Sequence, residues 1–260
     1  MRRKHAKERK KNSWFYPHEP DMSAAHRLFC FPYAGGGASI FCSWQSEFPQ
    51  GIQVCPIQLP GRENRFDEAP FTNLFELVEV LVEVLSPYLD LPFSLFGHSM
   101  GAKIAFELSR KLKREKGIEP IYLFVSGCQA PHIPEANPIH HLPKKAFVRE
   151  LRRYSGTPEA VLQDAEFMEI LLPLLRADFT LVETYKYIEQ GDKLTCPIWV
   201  LGGEGDKEVS VKELEEWGAY TSSYIVLRLF PGDHFFIRST QTLVIKTISS
   251  VILGGVSHVF

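Results

Sequence analysis

Near the middle of the chain a serine stands between two glycines, in Gly97-His98-Ser99-Met100-Gly101. A short apolar run, Phe93-Ser94-Leu95-Phe96, leads in, and Ala102-Lys103-Ile104-Ala105-Phe106-Glu107-Leu108 leads out with helical patterning. G-x-S-x-G between a strand and a helix is a nucleophile elbow. Its turn is tight enough that the flanking positions must be nearly free of side chain, hence the two glycines. The hydroxyl is lifted to the start of a helix, where backbone N–H groups favour developing negative charge. A serine is a weak nucleophile alone, so it needs a base in hydrogen-bond reach and a carboxylate to orient that base. Where an elbow of this kind is used, the chain order is Ser, then Asp or Glu, then His. Asp206 follows the apolar run 197–203 and His234 follows the run 224–230, which supplies that order.

Other residues compete for these roles. Glu204 and Glu208 lie close enough in sequence to replace Asp206. Asp233 adjoins the histidine, although a sequence neighbour rarely points back at the next ring. His98 sits inside the elbow, where the turn aims its side chain away from the hydroxyl. His140 and His141 form a pair without a third metal ligand at usable spacing, so no metal site is expected. Tetrahedral intermediates of acyl transfer need N–H donors. The residue after the nucleophile, Met100, offers one backbone N–H, and the loop Pro32-Tyr33-Ala34-Gly35-Gly36-Gly37 after the first strand offers another. That loop lacks the G-x-G-x-x-G spacing of a dinucleotide site and the G-K-S/T of a P-loop, so a phosphate cradle is not expected there.

The elements that must position these residues alternate. Apolar runs of the kind buried on both faces of a parallel sheet occur at 27–31, 54–59, 93–96, 121–125, 197–203 and 224–230. Helical patterns lie between them, at 74–85, from 102 to Gly117, at 211–219 and at 239–252. This predicts an α/β fold with a mostly parallel, doubly wound sheet. The alternation stops between 131 and 190, where the patterns 144–154, 158–176 and 178–187 are all helical. That segment reads as a helical lid inserted into a core formed by 26–130 and 191–253.

Length and composition agree with one large domain: 260 residues, 45% hydrophobic and 23% charged. No apolar run is long enough to cross a bilayer. The five cysteines are widely spaced and read as free thiols of a reducing, cytoplasmic setting. Residues 1–11 carry seven Lys and Arg against Glu8, and the stretch 1–25 reads as a basic, disordered tail. On the first lid helix, Lys144, Lys145, Arg149, Arg152 and Arg153 crowd around Phe147 and Leu151, which share a face. The basic side chains read either as a solvated face or as a docking surface for an acidic partner.

Five blocks together carry a family resemblance: Leu28-Phe29-Cys30-Phe31-Pro32-Tyr33-Ala34-Gly35-Gly36-Gly37, Gln58-Leu59-Pro60-Gly61-Arg62, Phe96-Gly97-His98-Ser99-Met100-Gly101-Ala102, Gly205-Asp206, and Gly232-Asp233-His234-Phe235-Phe236. Over residues 26–250 the chain resembles type II thioesterases, free-standing enzymes that edit nonribosomal peptide and polyketide synthases. The medium-chain thioesterase of fatty acid synthesis is related to them. The resemblance implies an α/β-hydrolase fold and a triad of Ser99, Asp206 and His234, with Ala34 as the second oxyanion donor. It also implies hydrolysis of acyl groups from the phosphopantetheine arm of carrier domains, with no cofactor of the enzyme's own. The expected partners are acyl or peptidyl carrier domains, not nucleic acid or membrane, and the expected state is a monomer. The rival readings are a medium-chain acyl-carrier thioesterase of fatty acid synthesis, a carboxylester hydrolase on the same scaffold, and a binding module without catalysis.

Overall fold

The computed structural model describes residues 13–21, 23–154, 156, 159–189, 191 and 193–254. Six strands, β1 (His26–Phe31), β2 (Ile52–Pro56), β3 (Phe93–His98), β4 (Leu123–Ser126), β5 (Ile198–Gly203) and β6 (Ile225–Phe230), form one sheet. Its order is β2-β1-β3-β4-β5-β6 and every pairing is parallel. The nine α-helices among the described residues are α1 (Trp44–Glu47), α2 (Leu74–Leu85), α3 (Met100–Lys116), α4 (Lys144–Tyr154), α5 (Glu159–Gln163), α6 (Ala165–Glu183), α7 (Val211–Glu215), α8 (Phe236–Ser239) and α9 (Gln241–Ile252).

Because side chains alternate along a strand, the sheet divides the core in two. Phe29, Leu95, Val125 and Val200 face α2 and α3. Leu28, Phe96, Phe124 and Leu201 face Trp44 of α1 and Val244 and Ile248 of α9. Every residue of β1 and β3 is buried, including His26, Arg27, Ser94 and His98, as in strands covered on both faces. Helix α3 is buried on all sides from Met100 to Leu112. The charges this encloses are paired: Arg110 donates to Glu107 at 2.7 Å, and Lys111 reaches Glu79 and Glu115. All these strands point their C-terminal ends at one edge, where an open α/β sheet binds ligands.

Two expectations need correction. The tail does not extend through residue 25. Phe15 forms an antiparallel bridge with Ile57 and is 4% exposed, while Trp14 accepts from Gln58 N–H and lies under the Arg65 guanidinium. Burying these two rings beside edge strand β2 outweighs the polar character of their neighbours and covers strand-edge groups. Residues 1–12, with the basic run, lie outside the described residues.

The second correction concerns the lid. Helices α4, α5 and α6 stand between β4 and β5, sharing a small core of Phe147, Leu151, Met168, Leu172 and Leu175. The expected break near residue 177 is absent. Helix α6 begins one residue after Asp164, whose carboxylate accepts from Phe167 N–H at 2.9 Å, and runs unbroken through Asp178. Asp178 looks like a helix-starting residue in sequence, but its side chain is buried against Arg62 instead.

Candidate active site

The loop after β3 builds the elbow. Ser99 takes φ +53 and ψ −115, a backbone region sparsely used by residues with a side chain. Its N–H donates to the carbonyl of Ser126 at 2.7 Å, the last residue of neighbouring β4. A Cβ at Gly97 would lie 2.0 Å from the Gly101 carbonyl oxygen, and one at Gly101 would lie 2.1 Å from that of Phe31. The close approach of three backbone segments therefore requires both glycines of the motif.

The loops after β5 and β6 bring an acid and a base together. Asp206 Oδ2 and His234 Nδ1 are 2.8 Å apart, and both side chains are buried. The other carboxylate oxygen accepts from Glu208 N–H at 2.8 Å and Val209 N–H at 3.2 Å, fixing its orientation. The two loops are themselves joined, since Gly205 N–H donates to Gly232 O and Glu204 N–H to Phe230 O. Of the sequence rivals, Glu204 is exposed, Glu208 lines the cleft and gives its N–H to Asp206, and the Asp233 carboxylate accepts from Phe235 N–H at 2.8 Å.

His98 is fully buried, with Nδ1 2.9 Å from Ser126 Oγ and its ring centroid 5.2 Å from that of His234. Desolvation, then the nearby His234, holds its pKa well below the imidazole range, so it packs as a neutral ring behind the base. His140 Nδ1 lies 2.6 Å from Glu183 Oε2, so its carboxylate partner is in the lid.

Gly36 N–H donates to Tyr33 O at 2.9 Å and Gly35 takes φ +77, which gives residues 33–36 the shape of a type II turn. Among the described residues, the N–H groups of Ala34 and Met100 have no protein acceptor. Ala34, Ser99 and His234 line one cleft of about 820 Å3, open to solvent. Leu151, Tyr154, Leu175, Phe179 and Val182 of the lid roof it. Lys103, Gln129 and Glu135 make a polar wall, with the Lys103 ammonium paired to Glu135. Cys128 also lines it, and burial pushes its thiol up to about 12. Neither Glu135 nor Cys128 stands in a motif, so no sequence signal points to them.

Of the basic lid residues, Lys144 pairs with Glu169, Arg152 with Glu159 at 3.1 Å and Arg149 with Glu150 at 3.5 Å. Lys145 is exposed, and the side chain of Arg153 lies outside the described residues. Phe147 and Leu151 point into the lid core as their spacing predicts.

Such a site can carry out acyl transfer: a strained serine at a helix start, an oriented imidazole, and unpaired N–H groups beside them. Comparison with known proteins narrows the chemistry. Residues 26–252 match the thioesterase domain family. The chain is similar to the gramicidin S biosynthesis protein GrsT of Aneurinibacillus migulanus, with 48% identity over 88% of this chain and 90% of that one. It is also similar to the linear gramicidin dehydrogenase LgrE of Brevibacillus parabrevis, with 42% identity over 92% of each. Among solved structures, the type II thioesterase BorB from the borrelidin biosynthetic cluster superposes with a TM-score of 0.83 at 34% identity, covering 93% of this chain and 98% of BorB. The chain belongs to the thioesterase domain family and is a thioester hydrolase.

Proposed function

We propose that the protein hydrolyses acyl and aminoacyl thioesters from the phosphopantetheine arm of carrier domains, editing or releasing chains on a peptide or polyketide synthase. The observation that carries this reading is the His234–Asp206 hydrogen bond in the same cleft as the elbow serine. In this reading His234 Nε2 accepts the Ser99 proton as Oγ bonds to the thioester carbonyl carbon. Asp206 keeps the second imidazole proton on Nδ1 and stabilises the imidazolium. The N–H groups of Met100 and Ala34 bind the oxyanion. Collapse breaks the C–S bond, and the imidazolium proton goes to the departing sulfur, leaving an ester on Ser99. Water, deprotonated by His234, then attacks that ester, and the proton returns to Oγ as the free acid leaves.

The neighbours named for peptide and polyketide pathways support a synthase partner over fatty acid synthesis, as do the five unpaired cysteines for a reducing cytoplasm. LgrE is named a dehydrogenase; in this chain the Gly35 N–H of the glycine loop is given to Asp178. Within this reading α4 receives the carrier domain through Lys144, Lys145, Arg149, Arg152 and Arg153, in a field reduced by the Glu159 and Glu169 pairs. The test is hydrolysis of carrier proteins loaded with acetyl, aminoacyl or long acyl groups, set against oxygen esters of the same acids. Comparable rates on oxygen esters would favour a carboxylester hydrolase, and selectivity for long acyl groups would favour the fatty acid reading.

A further inference from the structure

Arg62 and Asp178 are 116 residues apart in sequence and nearly inaccessible to solvent, with side chains 4% and 2% exposed. Arg62 Nη1 and Nη2 meet Asp178 Oδ2 and Oδ1, both at 2.8 Å, in a two-pronged pair. Each partner also holds the turn 33–36. Asp178 Oδ2 accepts from Gly35 N–H at 2.7 Å, and Arg62 Nη1 donates to Gly36 O at 3.0 Å. Gln58 completes the frame, donating to Arg62 O at 2.8 Å and accepting from Ala38 N–H at 2.7 Å. Backbone groups in the second half of the turn and just after it are thereby fixed, while the Ala34 N–H is left without a protein acceptor among the described residues. Arg62 and Gln58 belong to the core, but Asp178 comes from lid helix α6, which packs directly on the turn. A Cβ at Gly35 would lie 2.5 Å from Leu175 Cδ2.

We propose that Arg62 and Asp178 are positioning residues that set the oxyanion turn, so that the turn is correctly shaped only while α6 is seated on the core. The inference rests on the proposed function, because it needs Ala34 to be an oxyanion donor. A pair that only tethered the lid would affect how much protein folds, or how well substrate is retained. A pair that shapes the turn affects the transition state, where the oxyanion exists, and not the bound ground state.

The experiment uses the full chain with a small acyl-pantetheine thioester, which needs no carrier docking. Active sites are counted by complete reaction with a fluorophosphonate. Asp178→Asn keeps the shape but leaves Arg62 without its anion, so the double variant Arg62→Met/Asp178→Leu serves as a second test with no orphaned charge. Both are expected to lower kcat per titrated site by about 10- to 100-fold, a fraction of what losing an oxyanion donor costs. KM should change less than about threefold by the same reasoning. Affinity for a boronic acid, which forms a tetrahedral adduct on the serine, should fall by the same factor as kcat/KM. Arg62→Lys, which keeps the charge without the fork, should fall between wild type and the double variant. A double variant with kcat per site within about twofold of wild type, or with its loss confined to KM, would overturn the proposal. Failure of the wild-type protein to be labelled at Ser99 would instead reject the underlying reading of the site.

Discussion

At the floor of the cleft, Ser99, Asp206 and His234 stand on loops leaving β3, β5 and β6, and backbone contacts between segments hold those loops in place. In the lid, position depends on side chains: a core of seven buried residues, and surface ion pairs linking α4 to α5 and α6. Backbone segments so close that an added Cβ would lie about 2 Å from a neighbouring carbonyl leave no room for adjustment, whereas exposed ion pairs contribute less than about 1 kcal/mol each and re-form easily. The floor is therefore intolerant, and the lid is tolerant and free to diverge in what it admits, except where Asp178 of α6 meets Arg62 and the turn 33–36.

Substitutions can break this contrast or sharpen it. The largest effect belongs to Ser99→Ala, which should reduce thioester hydrolysis by about 10^4-fold or more while the protein stays folded, measured as kcat beside a thermal unfolding curve. Substantial residual turnover would mean that the floor does not hold the nucleophile. Gly101→Ala should act on folding, since the added methyl meets the Phe31 carbonyl. A loss of more than about 3 kcal/mol in denaturant unfolding is expected, and a mild effect would show the floor to be softer than its contacts suggest. Asp206→Asn should lower kcat by roughly 10^2- to 10^4-fold through the wrong imidazole tautomer, with Glu204→Gln and Glu208→Gln close to wild type. The reverse pattern would reassign the acid.

Acid should weaken the sheet core before the lid's surface pairs matter. His26, with Nε2 2.9 Å from Ser94 Oγ, has its pKa lowered to about 4 by burial, and that of His98 is held well below 6.5. Both are neutral in the folded protein where the unfolded chain binds a proton. Stability is thus full above the unfolded imidazole pKa and falls as pH drops through about 6.5 toward 4. Each ring contributes a slope of up to about 1.4 kcal/mol per pH unit. Urea unfolding at pH 7.5, 6 and 5 checks this, and a flat profile would show that the rings are not protected from protons. The smallest effect is expected at the lid surface. Arg149→Glu with Arg152→Glu should raise KM for an acyl-carrier substrate a few-fold and leave a small thioester unaffected. Equal losses on both substrates would mean that the lid's packing, not its charge, had been changed.

The same contrast explains what could be read from the residues alone. The elbow, the Asp-His order and the strands were legible because backbone crowding dictates glycines, and burial on both faces dictates unbroken apolar runs. Trp14 and Phe15 looked like part of a polar tail because nothing local marks the strand edge they cover. Asp178 reads as the first residue of a separate helix because an aspartate is a common helix start. What holds it in the middle of α6 is an arginine 116 residues earlier in the chain, a relationship that no local pattern encodes.

Cys128 adds a consequence for chemoselectivity. Cys128 is among the residues lining the cleft, and a thiolate reaching a bound thioester would compete with the serine by taking the acyl group from one sulfur to another, an exchange with little driving force either way. Burial pushes the thiol up to about 12, so it stays protonated at neutral pH. On the proposed mechanism, burial of this thiol leaves the Ser99 hydroxyl as the acyl acceptor in the cleft.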